Sequence, residues 1–167
     1  MEDFHLKDPA VETQWRSLIL FGKNSATYKF AFAKALLDLV DKETTVVTLE
    51  QLSKPYADYI LDHLKRYDKQ GNANFSEFLN ACRSKLQGDM SEDELLEVTR
   101  KKGFVNVIDA FQNLSGCAIR KKFYEKKEEG VRVLRQGFGI FLNPSIFKDA
   151  PRSTPEHDGQ WVSYPPL

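Results

Sequence analysis

The sequence predicts a mainly helical α+β fold: a compact helical domain closed by a small C-terminal antiparallel β-hairpin or three-stranded sheet. Three observations predict it. Apolar residues recur at helical spacing as far as about residue 115, capping signatures mark several of those segments, and after Leu114-Ser-Gly116 the apolar period shortens to two. One domain is expected over residues 1–142, with the hairpin at about 117–142 and a Pro-rich arm or linker over 143–167.

Val11, Trp15, Leu18 and Ile19 share helical spacing and form a first short helix that runs into the Gly22 turn. The next segment carries the most information. Asn24 or Ser25 can cap a helix that continues from Ala26 to Val40 with no Gly or Pro, about four turns in all. Phe30, Phe32, Ala33, Leu36, Leu37, Leu39 and Val40 surround most of its axis, the mark of a buried helix. Thr48-Leu-Glu-Gln51 reads as a capping box, and Pro55 fits near the start of a helix bearing Tyr56, Tyr59, Ile60 and Leu64. Phe75, Phe78, Leu79 and Cys82 supply a further amphipathic segment. Ser91-Glu-Asp-Glu94 is a second capping box, and Arg100, Lys101 and Lys102 precede Gly103 at the other end of that helix. Phe104, Val107, Ile108 and Phe111 place another helix over residues 104–113.

Beyond it, Ile119, Lys121 and Phe123 alternate with Arg120, Lys122 and Tyr124. Glu128-Glu-Gly130 offers a turn before Val131, Val133 and Arg135, and Ile140-Phe-Leu142 suggests a third strand. From Asn143 onward five prolines punctuate a weakly patterned tail.

Composition fits a folded protein in a reducing compartment, the cytoplasm. Of the 167 residues 41% are hydrophobic and 29% charged, and 20 are aromatic, which excludes a disordered chain. Cys82 and Cys117 are far apart and lack partners at metal-ligand spacing, so both are expected as buried free thiols. No basic and apolar leader opens the chain, and no run approaches the length of a membrane span, so neither secretion nor a membrane partner is expected.

The formal net charge is zero, so any binding of nucleic acid must rest on the distribution of charge. Two places stand out. Lys23, Asn24, Ser25, Thr27, Tyr28 and Lys29 gather free N–H groups, hydroxyls and two ammonium groups at the positive end of a helix, a setting suited to phosphate. Residues 115–136 hold seven Arg or Lys against three Glu, a local excess of four. There Arg120, Lys121, Lys122, Arg132 and Arg135 can position a phosphate backbone, while Tyr124 and Tyr28 can stack on bases or sugars.

Sharper motifs fail on their chemistry. Asp68 to Leu79 is laid out like a calcium loop, yet Ala73 and Leu79 stand where the turn Gly and the bidentate acid belong. His5, His63 and His157 share no metal-ligand spacing, and no nucleophile elbow, phosphate loop or dinucleotide fingerprint occurs. No catalytic residue, metal or cofactor is expected.

The segment from Trp15 through Phe21-Gly-Lys-Asn-Ser-Ala-Thr-Tyr-Lys-Phe30 to Leu37, with Asn106-Val-Ile-Asp-Ala-Phe-Gln-Asn113 and Lys122-Phe-Tyr-Glu125, resembles the N-terminal region of bacterial HNH-endonuclease-type proteins over residues 12–142. The Thr27-Tyr28-Lys29-Phe30 approach to a leucine-rich helix is also similar in placement to DNA sulfur-binding domains of modification-dependent restriction enzymes, with Tyr28 in place of His and Phe30 in place of Pro. The resemblance implies a recognition domain for double-stranded DNA, with a modified phosphorothioate backbone among its targets. It also implies a restriction role in antiphage defence and a partner nuclease module further along the parent chain. The alternative is a helical protein-interaction module whose aromatic groove holds a peptide.

Overall fold

A computed structural model describes residues 10–21, 28–40, 45–67, 76–114 and 117–134, together with Gly137 and Ile140. The fold is mainly helical α+β. Its helices are α1 (Val11–Phe21), α2 (Tyr28–Leu39), α3 (Leu49–Arg66), α4 (Glu77–Gln87), α5 (Glu92–Val98) and α6 (Val107–Phe111), with a π-helical turn at Thr99–Gly103 after α5. Its strands are β1 (Val46–Thr48), β2 (Asn113–Leu114), β3 (Cys117–Ala118), β4 (Tyr124–Lys127) and β5 (Gly130–Val133).

Helix α2 is the element around which the others pack. Ala31, Phe32, Ala33, Ala35 and Leu36 are buried, and only Lys34 and Asp38 are exposed along its length. Those two lie one turn apart and share a neighbour on α3: Lys34 Nζ sits 5.1 Å above the Tyr59 ring, whose hydroxyl donates to Asp38 Oδ2 at 2.6 Å. On the opposite side, Phe32 meets Phe104, Phe111 and Tyr124 edge to face. Tyr56 on α3 stacks on Phe104 and Phe78, and Trp15 on α1 meets Phe111 and Phe123. A continuous chain of rings thus joins α1, α2, α3, α4 and α6 with β4, and such pairs add to the gain from apolar burial.

Local chemistry sets the ends of these helices. Thr48 and Gln51 form the expected capping box at α3, and Ser91 and Glu94 form it at α5. Ser76 caps α4 through Leu79 N, and Gly88 ends that helix in the left-handed region at φ 88, where a side chain would be strained. Because α3 starts at Leu49, Pro55 lies inside the helix, where its ring costs one intrahelical hydrogen bond. The helix persists because Leu52, Tyr56, Ala57, Ile60 and Leu64 bury one face of it. The helix expected over 104–113 is shorter, Val107–Phe111, since the chain leaves α5 through the π-helical turn and Phe104 closes that turn.

The main sheet has the order β1-β5-β4 and is antiparallel throughout. The turn at Glu128-Glu129 joins β4 to β5 as expected, but the third strand is β1, from the first third of the chain. Ile140, expected in that strand, is helical and buried, and residues 141–167 lie outside the described residues. The hairpin also starts later than the alternation suggested, at Tyr124, because residues 119–123 form a bent segment tied to α1 and α6. Cys117 and Leu114 pair in a separate two-stranded ribbon, β2-β3.

Gly130 is required by the close approach of β1. A Cβ there would lie 2.1 Å from the Val47 carbonyl oxygen and 2.8 Å from Thr48 Cα, both backbone atoms that cannot swing aside. Gly130→Ala is expected to cost about 1 to 3 kcal/mol through overpacking. Chemical denaturation checks this, and a variant as stable as the wild type would mean that β1 does not approach β5 so closely.

Candidate nucleic-acid interface

Two buried carboxamides build the basic surface. Gln112 follows α6 and Gln14 lies on α1, at 8% and 7% exposure. Gln112 Oε1 accepts from Phe123 N at 2.6 Å and Tyr124 N at 3.2 Å, and its Nε2 donates to Tyr124 O at 3.0 Å. The Gln112 carbonyl accepts from Ile119 N at 3.0 Å, while Gln14 Oε1 accepts from Lys121 N at 3.3 Å. These bonds satisfy backbone groups that have no ladder partner and fix the run from Ile119 to Tyr124. Phe123 and Tyr124 turn inward, and Arg120 and Lys122 are left exposed.

The charges on the hairpin itself are largely matched. Lys126 Nζ is 2.5 Å from Asp109 Oδ2, Lys127 Nζ 3.3 Å from Glu125 Oε2, and Arg132 Nη1 3.9 Å from the same Glu125 oxygen. All are exposed pairs that add little to stability but cancel much of the local positive field. Arg120 and Lys122 have no ion pair among the described residues, which makes the bent segment the most positive part of this face. A half-open cleft of about 320 Å³ lies beside it, between α6 and β4. Lys122 and Lys126 share its wall with Asp109 and Glu125.

The other predicted site residues divide sharply. Lys23, Asn24, Ser25, Thr27 and Arg135 lie outside the described residues. Tyr28 is half-buried, donates its hydroxyl to Ser76 Oγ at 3.2 Å and packs against Phe78, and burial raises its pKa. Lys29 is buried. Tyr124 does not stand on the surface as expected: it is fully buried, its hydroxyl donates to Ile108 O at 2.7 Å, and its ring faces Phe32. Gln112 holds its backbone in that inward setting, so the ring is closed to a base. Lys121 is half-buried beside α1.

Gln14 and Gln112 were missed as organising residues. The signal for Gln112 was its position one turn after Ile108 on the apolar face, where a polar residue must find partners inside the protein. Among the described residues the exposed large hydrophobic side chains, Val46, Tyr67, Leu86 and Val105, sit on separate elements.

Among the described residues no cluster of three or more His, Cys, Asp or Glu could hold a metal, and no helix is long and apolar enough to cross a membrane. In the calcium-like stretch, residues 68–75 lie outside the described set, and Leu79 is fully buried in α4. The two thiols differ, contrary to expectation. Cys82 is buried, and loss of solvation pushes its thiol up to about 12, whereas Cys117 is exposed because its short ribbon lies at the surface. A maleimide is expected to label Cys117 in the native protein and Cys82 only after unfolding. Mass spectrometry of the labelled peptides checks this, and equal labelling of both would contradict the packing around α4.

Comparison with protein-family models, curated proteins and solved structures finds no match for this chain.

Proposed function

We propose that this chain is a DNA-binding recognition domain. It directs a nuclease module, borne by the same parent protein of the modification-dependent HNH restriction type, to double-stranded DNA. The single observation that carries this reading is the fastening of Arg120-Lys121-Lys122 by the two buried glutamines. Ordering long cationic side chains costs conformational entropy, and a backbone already fixed reduces that cost when phosphates arrive. Arg120 and Lys122 take the phosphate contacts, and Arg132, only loosely held by Glu125, joins them from the neighbouring strand. In this reading the domain binds and does not cut, and its fine target is a modified backbone such as a phosphorothioate.

With few cations engaged, binding is weak and governed by salt. The log–log slope of affinity against salt is expected to fall on the order of −2 to −3, at about −0.9 per phosphate neutralised. Arg120→Ala with Lys122→Ala should flatten it by roughly 1.8 while leaving the melting temperature nearly unchanged, since both side chains are exposed. Fluorescence anisotropy with matched duplexes, with and without one phosphorothioate, measures both slopes, and a thermal melt of each protein checks the stability. No binding to either duplex at low salt would sink the proposal, and an unaltered slope in the double variant would move the interface elsewhere.

Incubation of the purified chain with plasmid and Mg²⁺ or Mn²⁺ is expected to leave the DNA intact. Nicking that disappears on substitution of one of its own residues would make the chain an enzyme.

A further inference from the structure

One carboxylate answers both cations on the solvent face of the three-stranded sheet. Along β4, Tyr124 and Lys126 alternate with Glu125 and Lys127, and the register sets Glu125 opposite Arg132 and Tyr124 opposite Val133. Tyr124, Val131 and Val133 are buried, which turns their side of the sheet inward and leaves Glu125, Lys127 and Arg132 exposed on the other. Leu134 N donates to Phe123 O at 2.9 Å, so by antiparallel alternation Glu125 and Arg132 are also a hydrogen-bonded pair, and the backbone holds their side chains next to each other. On the far side of Arg132 the register places Val46 of β1, which is exposed and uncharged.

Glu125 serves its two cations through a single oxygen. Its Oε2 lies 3.3 Å from Lys127 Nζ and 3.9 Å from Arg132 Nη1, and neither cation has another ion pair among the described residues. At 3.9 Å the guanidinium is attracted but not hydrogen-bonded. Glu125 also lines the cleft between α6 and β4 together with Lys122, so the same carboxylate borders the bent segment. A phosphate backbone drawn to Lys122 and Arg132 meets a negative charge beside both. We infer that Glu125 is the residue that sets how tightly this face holds a phosphate backbone. In the free protein it is the counterion of Arg132 and Lys127; with DNA bound it gives up Arg132, the more distant of the two, and keeps Lys127. The inference deepens the DNA-binding reading and rests on it. Exposed pairs contribute little to folding, so the carboxylate restrains binding without a matching effect on the fold. A repulsive group placed among attractive ones is a recurrent way to limit what a surface binds.

Glu125→Gln keeps the size of the side chain and removes its charge. Glu128→Gln is the control, since Glu128 is exposed in the turn between β4 and β5, has no ion pair among the described residues and changes the net charge by the same amount. Fluorescence anisotropy with one duplex over a series of salt concentrations reads affinity and slope, and a thermal melt checks that each variant is folded. Glu125→Gln is expected to bind roughly three- to tenfold more tightly at low salt, the effect of releasing two exposed pairs. The log–log slope should steepen by about 0.9 as Lys127 gains a phosphate. Glu128→Gln should gain little. In a background carrying Arg132→Ala and Lys127→Ala, Glu125→Gln should gain no more than Glu128→Gln does. Binding detectable only in Glu125→Gln would support the inference as well. If the wild type binds the duplex and Glu125→Gln binds no tighter, gains no more than Glu128→Gln, or keeps its gain without Arg132 and Lys127, the inference is overturned and the DNA-binding reading stands. If neither the wild type nor Glu125→Gln binds the duplex at low salt, the DNA-binding reading falls and the inference falls with it.

Discussion

Enclosure of α2 is the constraint on which the structure depends. A helix hydrophobic on most of its circumference is stable only when other elements cover it, and here α3 covers one side while the ring cluster of Phe104, Phe111 and Tyr124 covers another. Phe32 is where those layers meet. Through Phe111 and Tyr124 the same packing reaches Trp15 and Phe123, and thus the start of the bent segment's anchorage. The basic residues outside are held in place by aromatic residues inside, with Gln14 and Gln112 as the polar link between the two.

That link explains how a chain of zero net charge comes to have a directed positive feature. The lysines and arginine of the hairpin are answered by Asp109 and Glu125, whereas the bent segment before it has backbone anchors in place of counterions. A buried carboxamide suits this task because it supplies both acceptor and donor without charge, so it can satisfy N–H and C=O groups in the interior without a second buried ion.

Features decided within a few residues were legible in the sequence. The capping boxes at Thr48 and Ser91, the Glu128-Glu129 turn and the burial of α2 all arise from local hydrogen bonding or a dominant apolar period. Features decided by distant partners were not. β1 is three residues long and becomes a strand only because β5 lies beside it. Tyr124 sits among cations in sequence and so looked like a surface ring, but Phe123 and Tyr124 are both drawn inward where the bend meets the strand. Lys29 was expected among the phosphate-binding residues at a helix start, and nothing in the spacing told which way its face of the helix would turn.

The position of β1 beside β5 has a consequence for how the molecule assembles. The two strands are separated in sequence by α3, α4, α5 and α6, so their pairing closes a long loop before any ladder bond compensates for the lost chain entropy. The β4–β5 hairpin has only its own tight turn to close, whereas β1 reaches β5 across four helices. Pairing of β1 with β5 thus carries the largest loop-closure cost in the sheet. The sheet is a clasp between the first and last thirds of the described chain, and cutting the polypeptide anywhere between α3 and β4 would leave each fragment with an unpaired strand edge.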